Sequence, residues 1–179
     1  MPDQPHQAFS PPARLLFAAA VLAASWYAMM AVHELGHALA AWATGGSVER
    51  IVLPLIGFSR TDVSPNPSPL AVAWAGPITG VMLPLLFWFL ATLALRQRLH
   101  VAQQALRFFA GFCLLANGVY LGLGWIDRVG DAGDLTRHGA ATWQLIAFGA
   151  LCISAALYLW HGLGPWMGLT TTSDYATAA

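Results

Sequence analysis

Four stretches of this chain carry no charged residue over 18 to 26 positions: Leu15–Val32, Leu70–Leu95, Phe108–Ile126 and Trp143–Trp160. About 20 apolar residues in a helix cross the roughly 30 Å hydrocarbon core of a bilayer. Runs of this length therefore constrain the chain to a bundle of membrane-spanning helices. Composition agrees. The 179 residues are 58% hydrophobic and 9% charged, against about 25% charged in a typical soluble domain, too few to cover a soluble surface. Eight arginines balance eight acidic residues and there is no lysine. No net field draws a polyanion, and nucleic acid is not an expected partner. The sequence predicts an all-α, multi-pass integral membrane protein, with lipid around it and a bacterial cell membrane as the expected setting.

The first apolar run continues past Val32 to Ala43, where Gly45 and Gly46 stop it. One helix over 15–43 is roughly 44 Å long at 1.5 Å per residue, so it must tilt or project from the membrane. A cleaved leader is the competing reading. It is disfavoured because only Arg14 precedes the run, which is longer than an ordinary leader's apolar stretch. The other helices are expected at about 70–95, 106–126 and 143–162. The second carries Pro77 and Pro84, and the fourth has tryptophan at both ends, as an interfacial belt would. Residues 1–14, with four prolines, read as a flexible tail, 15–165 as a single transmembrane domain and 166–179 as a C-terminal tail. Between the first two helices, Ser47–Val63 is rich in β-branched residues and predicts a short β-hairpin lying on the membrane surface. Pro54 marks an edge or a break, and Ser64–Pro69 reads as a linker. Cys113 and Cys152 fall inside apolar runs and read as small packing residues.

One motif breaks the apolar pattern. Residues 33–37 read His-Glu-Leu-Gly-His. Histidines at i and i+4 share one helix face, one turn apart, and both imidazoles can reach a single Zn²⁺ at about 2.0–2.1 Å. Glu34 stands beside them, placed to take a proton from water activated by that ion. Ionisable groups at membrane depth cost at least about 2.5–3.5 kcal/mol each on insertion scales and mark function by default. A catalytic zinc takes a third protein ligand and leaves one position open. The candidates are His6, Glu49, Asp62, His100, Asp127, Asp131, Asp134, His138, His161 and Asp174. Asp131 stands out because small residues flank it just after the third apolar run, where a helix end or re-entrant loop can approach the first helix.

The segment His33–Gly46, following an apolar run, resembles the site-2 proteases, the intramembrane zinc metalloproteases. Ala75-Gly76-Pro77 resembles that family's second core helix, and Asn117 with Asp131-Ala132-Gly133 resembles its third-helix motif. The 14 positions from Asn117 to Asp131, with no intervening proline, mark a compact, divergent branch. The resemblance implies one Zn²⁺ per chain held by His33, His37 and an aspartate. Asp131 matches that aspartate best, with Asp127 and Asp134 as alternatives. It further implies Glu34 as catalytic base and Asn117 as a contact to substrate or oxyanion. The implied activity is cleavage of peptide bonds in or near the transmembrane segments of membrane proteins. The alternative is a zinc-binding membrane protein without proteolysis, a pseudo-protease or regulatory scaffold, with a metal carrier behind it.

Overall fold

The computed structural model describes residues 11–94, 100–164 and 166–167. Five helices and one hairpin follow in order: α1 (Pro11–Ala43), β1 (Val48–Val52), β2 (Arg60–Val63), α2 (Pro69–Ala94), α3 (His100–Gly124), α4 (Gly130–Arg137) and α5 (Thr142–Trp160). Helices α1, α2, α3 and α5 are long and apolar enough to cross a membrane. The protein is a multi-pass integral membrane protein.

Three boundaries differ from those expected. Helix α1 starts at Pro11, inside the expected tail, because proline costs nothing in a first helical turn, where the missing N–H has no partner to lose. The rest of that tail, residues 1–10, lies outside the described residues. Helix α3 starts at His100 rather than near 106. Gln103, Gln104 and Arg107 sit on its first turns, so polar residues extend the helix beyond its apolar run. Of the expected C-terminal tail, Trp166 and Met167 pack with Leu163 against Phe108, and the remainder lies outside the described residues.

Helix α2 packs on α1, α3 and α4. Val72, Ala73, Gly76, Pro77, Gly80, Val81 and Pro84 are its buried stripe, a face of small residues that lets neighbouring backbones come close. Gly36 of α1 meets the Ala75 carbonyl and Thr79 there. Helices α3 and α5 meet equally closely through Gly118, Gly122 and Gly149. By contrast, α1 touches α3 only lightly. Between those two helices lies an apolar cleft of about 590 Å³, lined among others by Met29, Met30, Phe112, Ala116 and Leu123.

The hairpin pairs β1 with β2 antiparallel, with Ile51 opposite Thr61 and Val52 opposite Arg60. It folds back along α1. The Tyr27 hydroxyl donates a 2.8 Å hydrogen bond to the Leu55 carbonyl near the hairpin tip. Tyr27 is the middle residue of the 33-residue α1, which is about 50 Å long. A hydrocarbon slab of roughly 30 Å placed anywhere along that helix contains its centre. With α1 spanning a bilayer, the tip is therefore expected at the depth of the hydrocarbon core. Its exposed side chains suit that depth, since Leu55 and Ile56 are 83% and 93% exposed. The Tyr27 hydroxyl satisfies one backbone carbonyl that lipid could not. A fluorophore on Ile56→Cys, in a protein with Cys113 and Cys152 replaced, is expected to be quenched by mid-chain brominated lipid and shielded from aqueous iodide. A hairpin on the surface would show the reverse pattern.

Candidate metal centre

His33 and His37 lie one turn apart on α1, and both are buried at 6% exposure. Their Nε2 atoms are 3.1 Å apart. Asp131, in the first turn of α4, brings its Oδ2 to 2.8 Å from His33 Nε2 and 3.3 Å from His37 Nε2. What lies behind each ring fixes its tautomer. His37 Nδ1–H donates to the Val72 carbonyl at 2.7 Å. His33 Nδ1–H donates to Asn117 Oδ1 at 2.7 Å, and the Asn117 amide nitrogen donates in turn to the Cys113 carbonyl at 2.9 Å. With both Nδ1 atoms protonated, both Nε2 lone pairs point at each other and at a carboxylate.

Three acceptors converging on one point, two of them buried and the third half-buried, form a site that could hold a cation. Ligand atoms about 2.0–2.2 Å from a tetrahedral zinc lie roughly 3.4 Å apart, close to the 2.8–3.3 Å triangle seen here. Two nitrogens and one carboxylate oxygen are the donor set of a catalytic zinc, and each ring is held from behind as metal-binding imidazoles usually are. His33, His37 and Asp131 fit such an ion, and they form the group among the described residues that could hold one.

Glu34 is 2% exposed. Its Oε2 accepts a 2.6 Å hydrogen bond from Thr61 Oγ1 of β2. The cleft between α1 and α3 opens beside His33 and is capped where Phe58 of the hairpin stacks on Tyr120 at 5.7 Å.

A profile of peptidase M50B-like proteins matches residues 13–159, most of the chain. The chain belongs to the peptidase M50B-like family. No curated protein and no solved structure matches it.

The other residues considered in this M50B-like chain take their own places. Asn117, expected at a substrate or oxyanion, has its amide engaged with His33 and Cys113, and the residue is 1% exposed. It touches the His33 ring and also lines the cleft. Asp127 stands exposed at the rim of the cleft. Asp134 pairs with Arg137. Asp62 bridges Arg50 and Arg60 on the hairpin, and the hydrogen bond from Arg50 holds its carboxyl below the usual range. Glu49, His100, His138 and His161 are exposed, and none belongs to the cluster. His6 and Asp174 lie outside the described residues.

Three participants escaped the sequence reading. Thr61 lay in what read as a surface hairpin. Tyr120 accepts the Asp131 backbone N–H at 3.0 Å, satisfying one of the orphan donors in the first turn of α4. Its signal was its place one helical turn from Asn117. Gly76 looked like packing alone. A methyl group there would collide with the His37 imidazole, and one at Gly80 would press on the Asn117 amide. Gly76→Ala is expected to push His37 out of line and weaken zinc binding about 10- to 100-fold, the usual loss when a ligand's support is disturbed. Metal titration of the purified protein checks this. Undiminished affinity would mean that the ring has room the structure does not give it.

Proposed function

We propose that this protein is an intramembrane zinc metalloprotease that cuts peptide bonds in or near a transmembrane segment of another membrane protein. The observation that carries the reading is Glu34, a buried carboxylate one residue from a convergent His33–His37–Asp131 set, beside a cleft open between two membrane helices. A structural metal site has no use for a base next to its ligands, and a carrier has none either.

One Zn²⁺ held by His33, His37 and Asp131 would supply Lewis-acid polarisation of a carbonyl and a lowered pKa for water. The chain's own groups do the rest. Glu34 accepts a proton from the attacking water and delivers it to the departing amine. Asn117 and the Val72 carbonyl keep both imidazoles in the tautomer that presents Nε2. The apolar lining of the cleft excludes bulk water from the reacting groups and accepts the side chains of a membrane segment. A substrate helix hides its amides in its own hydrogen bonds, so it must be unwound before attack. The hairpin, at the depth of the cleft, offers strand backbone on which an unwound stretch can pair.

Glu34→Gln is expected to retain one zinc per chain and lose cleavage of a single-span reporter by at least about 100-fold, the lower range for removing a general base. His33→Ala or His37→Ala is expected to lose most of the zinc. Metal analysis and gel-based cleavage in proteoliposomes give both readouts. Cleavage that survives in Glu34→Gln would overturn the reading.

A further inference from the structure

We propose that Thr61 is the positioning residue of Glu34, and that through it the hairpin sets the base for reaction. This rests on the protease reading and deepens it. The Thr61 hydroxyl donates to Glu34 Oε2 at 2.6 Å. That is the short end for a hydroxyl–oxygen hydrogen bond. Glu34 is almost wholly buried, so a lost partner there is not replaced by bulk water. A carboxylate on a two-carbon stem has several rotamers. One fixed oxygen limits them, leaving Oε1 as the proton acceptor.

The donor does not come from the motif's own helix. Thr61 stands on β2, 27 residues further along the chain, and pairs across the hairpin with Ile51 of β1. Asp62, next to it, ties the two strands together through Arg50. Tyr27 pins the hairpin tip to α1. The base is thus aimed by the element on which an unwound substrate can pair. A substrate strand that steadies the sheet steadies Thr61 and, through it, Glu34. Misplacing a catalytic group by about 1 Å costs on the order of 100-fold in rate.

Two substitutions separate positioning from strand structure. Valine has the shape of threonine and the better strand propensity, but it has no hydroxyl. Serine keeps the hydroxyl and is the poorer strand former. Positioning predicts that Thr61→Val lowers kcat roughly 10- to 100-fold, with KM and zinc content near wild type, and that Thr61→Ser restores most of kcat. A purely structural role predicts the opposite order, and that result would overturn the proposal.

A second readout needs neither metal nor activity. The chain has two glutamates, Glu34 and Glu49, so selective ¹³Cδ labelling gives two carboxyl resonances, which Glu49→Gln assigns. In metal-free protein, Thr61→Val is expected to shift or broaden the Glu34 resonance while Thr61→Ser leaves it near its wild-type position. An unmoved resonance in Thr61→Val overturns the contact. A resonance that moves as expected in a protein whose wild type cleaves no single-span reporter upholds the contact and overturns the protease reading together with the kinetic role assigned to Thr61.

Discussion

Two imidazole lone pairs and a carboxylate oxygen share one buried point in this protein, and the surrounding structure is arranged around that convergence. Acceptors so close repel one another unless a cation lies between them. They hold their places because three groups on two further elements hold them there. Val72 of α2 fixes the His37 ring and Asn117 of α3 fixes the His33 ring. Tyr120 of α3 holds the backbone of Asp131 where α4 begins. Each contact crosses between helices, so the bundle and the site form together. A bilayer offers little hydrophobic drive for helices to associate. These polar contacts and the close small-residue packing of α2 supply it.

Small residues decide what can approach. Gly76 leaves the volume that the His37 ring occupies, and Gly80 leaves that of the Asn117 amide. They are one turn apart on the same helix, so a single face of α2 seats the His37 ring and the Asn117 amide behind His33. Where such packing stops, between α1 and α3, the cleft opens. Close packing on one side of α1 and a gap on the other leave His33 at the wall of the cleft.

Much of this was legible in the residues. Charge-free runs located four spanning helices because lipid forbids anything else at that length. The i, i+4 spacing put His33 and His37 on one face without knowledge of the fold. Asp131 was harder, since its place depends on a reversal over residues 125–129 and a short, polar helix, Gly-Asp-Ala-Gly-Asp-Leu-Thr-Arg, whose two glycines weaken helix propensity. The structure brings it to the histidines, whereas Asp127, four residues earlier, stays at the rim. The hairpin's existence was visible in its β-branched residues, but its depth was not. Alternation reports which side chains share a face, and nothing in it says that the sheet turns back along α1. Thr61 was hidden for the same reason. The role of Asn117 depended on a distance between two helices that no spacing within one helix encodes.

The central claim, that His33, His37 and Asp131 hold one zinc with a position left open, is tested most directly by zinc K-edge X-ray absorption on the purified protein. The account predicts a light-atom shell at about 2.0–2.1 Å, with outer-shell scattering from two imidazoles and the remaining positions oxygen. In Asp131→Ala the two imidazoles should stay while the oxygen contribution changes. A shell containing sulfur or a third imidazole, or one that Asp131→Ala leaves untouched, would contradict it.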